Sequence, residues 1–254
     1  MPVSSTVAAI LVPHWPAPAR VRAAVTTRRM PGTSQAPFDT FNLGAHCGDD
    51  PVAVAANRTA LVGLLNLPRE PRWLRQVHGT DVVSFDAAAP GGDTPCADAS
   101  LTHAPGVVLA VLTADCLPLL VCTDDGSGVA AIHAGWRGLA AGVIERCIGK
   151  LHTPRERLMV WLGPAIGARS YEVGDEVRET FLARSAHDAQ AFAPTRPGHW
   201  HCDLYALARN RLAALGIDRV HGGGFDTCVD ARFYSHRRDR IGGRFASLIW
   251  LAEG

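Results

Sequence analysis

Thr113-Ala114-Asp115-Cys116-Leu117-Pro118-Leu119-Leu120-Val121-Cys122 leads to the turn Asp124-Asp125-Gly126-Ser127-Gly128 and returns as Val129-Ala130-Ala131-Ile132-His133-Ala134-Gly135-Trp136-Arg137-Gly138. Two short apolar runs joined by an Asp/Gly/Ser turn predict a pair of hydrophobic strands. Nearly continuous apolar runs are expected where a strand is covered on both faces, so this pair belongs inside a layered fold. Asp115, Cys116 and His133 sit at the strand ends. A strand kept only for packing needs no such groups there.

Working outward, Val107–Leu112, Leu158–Leu162 and Phe245–Leu251 show the same apolar pattern, and Val21–Thr27 and Arg232–Ser235 also look like strands. Trp73–Val83 alternates, and a period of two puts Gln76 and His78 on one face of a strand. Asp50-Pro51 suits the cap and first position of a helix running to about Leu65. Asn57 and Arg58 lie on that helix, where a solvated face is the simplest expectation. Leu139–Leu151 is amphipathic at helical spacing, Val173–Arg184 is expected to be helical, and a helix capped by Asp203 runs through Leu215 to a stop at Gly216. Strands cluster between helices instead of alternating with them, which favours α+β with mixed β-sheets over a doubly wound parallel fold. No repeat, low-complexity tract or composition shift divides residues 1–254, so one domain is expected.

With 47% hydrophobic and 19% charged residues in 254, the chain has an ordinary globular composition. A net charge of +1 and the absence of any basic run longer than Arg237-Arg238-Asp239-Arg240 argue against a nucleic-acid binder. The apolar patch Val7–Val12 is too short, and wrongly flanked, for a secretory signal. No apolar run is long enough to span a bilayer, so no membrane partner is expected. The seven cysteines form an odd set without CxxC spacing, which suits reduced thiols and a cytoplasmic location.

His78, in Arg75-Gln76-Val77-His78-Gly79, joins Cys116 and His133 as a candidate metal site. The separations are too long for a zinc finger but suit a catalytic site with three ligands and one open position. His₂Cys ligation suits Zn²⁺, and copper is chemically open as well. A Cys116–His133 nucleophilic pair, with Asp115 or another group orienting the imidazole, uses the same residues, and spacing alone does not separate the two. Gly135-Trp136-Arg137-Gly138, directly before a helix, offers either a phosphate pocket or a glycine turn beside a surface arginine.

Arg75-Gln76-Val77-His78-Gly79, Thr113-Ala114-Asp115-Cys116-Leu117-Pro118, His133-Ala134-Gly135-Trp136-Arg137-Gly138 and Phe233-Tyr234-Ser235-His236-Arg237-Arg238-Asp239 together resemble the YfiH-like, laccase-domain family. Thr26-Thr27-Arg28, Asn42-Leu43-Gly44-Ala45-His46, Gly163-Pro164-Ala165-Ile166-Gly167, Tyr171-Glu172-Val173 and Gly243-Arg244 extend the resemblance over nearly the whole chain. It implies a four-layer α/β/β/α sandwich and a zinc site on His78, Cys116 and His133. It also implies phosphorolysis of adenosine, inosine, guanosine and methylthioadenosine, with hydrolytic deamination of adenosine. Arg137, Gly138 and Arg244 are then candidates to hold inorganic phosphate. Asn42 and Arg58 are candidate substrate contacts, and Asp115 or Gln76 could position water or relay protons. Expected partners are purine nucleosides and phosphate, in a monomer or weak homo-oligomer. Members have also been described as copper-dependent polyphenol oxidoreductases, and one branch as a peptidoglycan editing factor, which keeps a cytoplasmic quality-control role as an alternative. Cys47, Arg169-Ser170 and Thr227-Cys228 depart from the family's usual residues and touch none of the three ligands.

Overall fold

The computed structural model describes residues 10–86 and 94–253. β1 (Ile10–Leu11) and β2 (Val21–Thr26) precede α1 (Pro51–Leu64). Then come β3 (Val82–Ser84), β4 (Ala99–Thr102), β5 (Leu109–Thr113), β6 (Leu117–Thr123), β7 (Val129–Ala134), α2 (Trp136–Ala141) and α3 (Val143–Lys150). β8 (Leu158–Leu162), β9 (Glu172–Gly174), α4 (Asp175–Leu182), β10 (Phe192–Pro194), β11 (His199–Cys202) and α5 (Leu204–Ala214) follow. The last elements are β12 (Val220–Gly222), α6 (His236–Asp239) and β13 (Phe245–Leu251).

The opening strand pair forms the centre of a six-stranded sheet of order β12-β8-β6-β7-β4-β3. Its outer pairs β12–β8 and β3–β4 are parallel and the inner ones antiparallel, so the sheet is mixed. β1-β2-β13-β5 make a second, antiparallel sheet, and β10-β11-β9 a small third one.

Period-two side-chain direction explains the layers. Leu117, Leu119 and Val121, with Ala130, Ile132 and Val160, face Ile144, Ile148, Leu207 and Leu212 of α3 and α5. The alternate residues Leu120, Cys122, Ala131 and Trp161 face Leu109, Val111, Phe245 and Ile249 of the second sheet. The far face of that sheet, with Ala110, Leu112 and Leu248, packs under Leu61 of α1 together with Met30, Phe41 and Leu43. Helices, two sheets and a helix give the α/β/β/α stack. β5, β6 and β7 are buried at every position, because both of their faces are covered.

Asp50 caps α1 by accepting the Val52 N–H, and Asp203 caps α5 by accepting that of Ala206. Other expectations need correction. Trp73–Val83 is a strand only at its end, where β3 begins at Val82; before that the chain makes just isolated bridges, at Arg75 and at the preceding Arg72. Its N–H groups at Val77, His78 and Gly79 are taken by the Asp98 carboxylate, so no ladder can form there. The helix expected over 139–151 is two helices, broken at Gly142 in a left-handed conformation (φ 100°). The segment from Val173 starts as strand β9 and becomes helical at Asp175. Arg232–Ser235 is not a strand; Ser235 caps α6 by accepting the Arg238 N–H. Asn57 is buried, not solvated, and donates to Ser34 Oγ and the Asn42 carbonyl. The start of the Val7–Val12 patch and most of the Pro90–Pro95 loop lie outside the described residues. No helix among the described residues is long and apolar enough to cross a membrane, and all seven cysteines are free.

Candidate metal centre

The antiparallel register of β6 and β7 sets Leu117 opposite Ala134, so the next pair outward is Cys116 and Gly135, with His133 just inside. His78 arrives from the loop before β3. Cys116 Sγ lies 3.7 Å from His78 Nε2, and ligand atoms of His78, Cys116 and His133 all fall within 4.8 Å of one another. The two imidazoles meet edge to face, with centroids 4.8 Å apart. His133 is buried, Cys116 half-buried and His78 exposed, so the site faces solvent on one side.

Asp98, fully buried at the start of β4, organises this cluster. One of its oxygens accepts from the His78 N–H at 2.9 Å and lies 2.8 Å from His133 Nδ1. The other accepts the N–H groups of Val77 at 3.2 Å and Gly79 at 2.7 Å. An ionised carboxylate can only accept, so His133 keeps a proton on Nδ1 toward Asp98, and Nε2, which faces Cys116, is the nitrogen that would ligate a metal on losing its proton. The same clamp holds His78 at φ 60°, a left-handed conformation that costs a non-glycine residue energy and persists only where its surroundings enforce it. Burial pushes the Asp98 carboxyl up, but the His133 hydrogen bond and the Gly79 and Val77 N–H groups outweigh it and hold the carboxyl below its usual range.

Burial alone would raise the Cys116 thiol, yet the charge of His133 and hydrogen bonds from both histidines bring it down to about 6. Burial likewise works against charge on His133, but the Cys116 thiolate and Asp98 raise it to about 9. A thiolate is what a metal or an electrophile needs. By contrast, desolvation pushes Cys122 and Cys147 up to about 12.

Asp98, His133 and Cys116 thus line up as a nucleophile triad would, and His78 distinguishes the arrangement. Zinc bonds of about 2.0–2.3 Å in a tetrahedron put ligand atoms roughly 3.3–3.8 Å apart, and the Cys116–His78 separation of 3.7 Å falls there. Two imidazoles, a thiolate and an acidic partner behind one imidazole fit a metal ion with an open fourth position. Gly135 makes room for it: a Cβ there would lie 2.6 Å from His78 Cδ2 and 3.1 Å from Cys116 Sγ.

The other residues singled out from the sequence have definite places. Asp115 (φ 87°) accepts from Thr227 Oγ1 and from the Arg237 N–H, both at 2.7 Å, and so ties the C-terminal segment to the strand end. Gln76 spends its amide on the backbone N–H and carbonyl of Leu112, each at 2.8 Å. Asn42 is buried and bridges Gly44, Asp49 and the Arg244 N–H. Arg58 donates twice to the Leu43 carbonyl and lies 4.3 Å over Trp73. Arg244 donates to the Gly242 and Gly243 carbonyls. Arg137 is exposed and lies 4.5 Å over Trp136. Gly138 brings α2 against the loop of His78, since a Cβ would come 2.8 Å from the Gly79 carbonyl. Beside the centre, Trp136, Arg137, Tyr171, Glu172, Glu176 and Arg237 line a cleft of about 390 Å³. Asp98, which orders the cluster, and Tyr171, on the cleft wall, carried no site expectation from the sequence. A carboxylate in the small-residue run Ala97-Asp98-Ala99 was the available signal for the first.

Residues 22–252 match the family model described as multi-copper polyphenol oxidoreductase laccase. The chain belongs to this laccase-like family. Among its relatives, a Pseudomonas aeruginosa protein named purine nucleoside phosphorylase is 55% identical over 245 residues, covering 96% of this chain and 98% of its own. Purine nucleoside phosphorylase YfiH of Escherichia coli K12 is 47% identical over 245 residues, covering 95% and 98%. The crystal structure of a Neisseria meningitidis protein of the DUF152 family superposes with a TM-score of 0.91 at 45% identity, covering 96% of this chain and all of that one. YlmD of Geobacillus stearothermophilus gives a TM-score of 0.84 at 31% identity, covering 92% and 93%. The mixed α+β layers described above are therefore those of the laccase-like family.

Proposed function

We propose that the chain is a zinc-dependent purine nucleoside phosphorylase. It cleaves adenosine, inosine, guanosine and methylthioadenosine with inorganic phosphate to free base and ribose 1-phosphate, and it deaminates adenosine. The names of the relatives support the phosphorylase reading. The observation that carries the metal chemistry is the convergence of His78, Cys116 and His133 with their ligand atoms within 4.8 Å. A bound zinc ion would supply Lewis-acid polarisation and an acidified water for attack at purine C6.

The chain's own residues do the rest. Asp98 keeps His133 in the tautomer that exposes Nε2 and holds His78 in place. Gly135 and Gly138 keep side chains out of the centre and out of the contact between α2 and the His78 loop. Trp136 and Tyr171, on the cleft wall, offer aromatic faces to a purine or ribose. Phosphorolysis also needs the phosphate held in line with the anomeric carbon, a task for guanidinium groups flanking the metal, with Arg137, Arg58 and Arg244 the candidates. Asp115 and Gln76 act here by holding the walls, because their hydrogen bonds go to the protein. Free thiols at all seven cysteines suit a reducing, cytoplasmic setting.

Copper chemistry is the second reading, suggested by the family description. Among the described residues this trio is the one group of three or more such ligands close enough to hold a metal, which leaves no second centre for a multicopper relay. The test incubates purified, metal-quantified protein with adenosine or inosine, with and without phosphate. Phosphate-dependent release of adenine or hypoxanthine is expected, with inosine formed from adenosine. No base release from protein carrying stoichiometric zinc would overturn the reading, and oxidation of phenols by copper-loaded protein would favour the other.

A further inference from the structure

Two walls with basic side chains flank the metal centre, and they differ in their acidic neighbours. On the α2 side, Arg137 and Arg237 share the cleft with Glu172 and Glu176, and Arg196 is already paired with Glu172 at 2.8 Å. A phosphate dianion entering there would meet two carboxylates. The opposite wall is built on residues 42–47. The Leu43 carbonyl receives Arg58 Nε at 3.0 Å and Nη2 at 2.8 Å. The Leu43 N–H donates to the Arg244 carbonyl at 3.2 Å, and the Arg244 N–H donates to Asn42 Oδ1 at 2.8 Å. One short loop therefore anchors both arginines.

Strand register points that loop at the metal site. Phe245 of β13 faces Thr113 of β5, so Arg244 lies beside Ala114, two residues before Cys116. Gly44 allows the close passage, because a Cβ there would sit 2.8 Å from Arg244 Cγ. His46, exposed two residues further on, completes the wall. Its imidazole is held below its ordinary value by burial and then by the charges of Arg244, Arg58, His133 and His78, while Asp49, the nearby carboxylate of this loop, is taken up by Asn42 and Ser34.

Neither Arg58 nor Arg244 forms an ion pair with a carboxylate among the described residues. Arg58 Nη1 and the Nε and Nη2 of Arg244 make no hydrogen bond to any described residue. Half-buried guanidinium groups with spare donors and no carboxylate in ion-pair contact are suited to an oxyanion; Glu70 acts on Arg58 only at longer range. Asn42 and Asn57, both fully buried, brace the wall from behind.

We infer that inorganic phosphate binds on the wall formed by His46, Arg58 and Arg244, and not at Gly135-Trp136-Arg137-Gly138. The inference rests on the phosphorylase reading for its ligand but not for its location. The cleft with Trp136 and Tyr171 is then left to the nucleoside.

The test is calorimetric titration of inorganic phosphate into zinc-loaded protein without nucleoside, followed by KM values for phosphate and for inosine. Variants are R244Q, R244K, H46A and R137Q, each checked for zinc content and melting temperature. R244Q is expected to weaken phosphate binding by roughly tenfold or more, the scale of one lost charge-assisted interaction. R244K, which keeps the charge without the fork, should fall between R244Q and wild type, and R137Q should change phosphate affinity by less than about twofold. If R244Q does not fold, R244K and H46A carry the comparison with R137Q. Weaker phosphate binding in R137Q with R244Q and H46A unchanged would overturn the location while leaving the phosphorylase reading intact. Millimolar phosphate that fails to bind any form would also overturn it. Arg244-dependent phosphate binding without base release would support the subsite and count against the phosphorylase reading.

Discussion

Asp98→Asn replaces one oxygen of a buried carboxylate by an NH₂ group at a place where every neighbour is a donor. If the amide nitrogen takes the position facing Val77 and Gly79, two backbone N–H groups lose their acceptor; in the other orientation, the His78 N–H and His133 Nδ1 lose theirs. Each hydrogen bond to a charged acceptor contributes about 1.5–3 kcal/mol, so either orientation costs about 3–6 kcal/mol. Against a total stability of about 5–15 kcal/mol that is a large share. At about 2–4 °C per kcal/mol for a chain of this size, the melting temperature should fall by at least 6 °C or so. The metal should suffer separately, because losing the group that orients a ligating histidine typically costs about 10–100-fold in affinity. Chelator competition on folded protein and thermal melts with and without zinc measure the two effects. A D98N protein that melts within a degree or two of wild type and binds zinc within twofold would refute the role assigned to Asp98. The pH dependence has a definite sign. The Asp98 pKa is depressed in the fold, so its contribution is complete above the unfolded carboxylate value of about 3.9 and is lost as pH falls through the lower folded value. Wild type should therefore lose stability more steeply than D98N below about pH 4.

Three further outcomes follow from other parts of the molecule. Cys116, lowered to about 6, should be alkylated in metal-stripped protein with a midpoint near that pH, whereas Cys122 and Cys147, pushed up to about 12, stay unlabelled; mass spectrometry reads the sites, and a Cys116 midpoint near the ordinary thiol value of about 8.5 would contradict the electrostatics. Gly135→Ala sits at φ −65°, which alanine adopts freely, so the fold should survive while the Cβ beside His78 and Cys116 lowers zinc affinity by roughly tenfold or more; unchanged metal binding would show that the ligands can move aside. Asp188→Ala removes the closer of the two carboxylates paired with buried Arg211 and leaves it Glu145 at 3.9 Å, and unfolding by denaturant should register a loss of about 3 kcal/mol, the low end for a broken buried pair, with zinc affinity unaltered.

Cys116 and His133 were legible as candidates because their chemistry is out of place: they end strands whose packing requires neither, though spacing left metal ligation and a nucleophilic pair equally open. The strand pair, the helix capped by Asp50 and the helix capped by Asp203 were legible because period and capping act over a few residues. Gln76 and His78 were expected on one strand face, and the segment instead gives up its strand to a carboxylate 20 residues away. Asp98 carried little signal, since its role depends on four partners in two segments. Arg58 lay on a helix face that spacing alone would leave solvated, yet it donates to Leu43 and lies over Trp73.

By itself, then, the sequence determined the covered strands and the helix caps, and it marked Cys116 and His133, with His78 beside them, as candidates. Each of these follows from local periodicity or from a side chain that has no packing reason to be where it is. Tertiary structure alone decided the left-handed backbone at His78, the tautomer of His133 and the difference between the two walls of the centre. Those properties arise where segments far apart in the chain meet. There the sum of charges and hydrogen bonds from several loops, and not the preference of any one residue, sets the outcome.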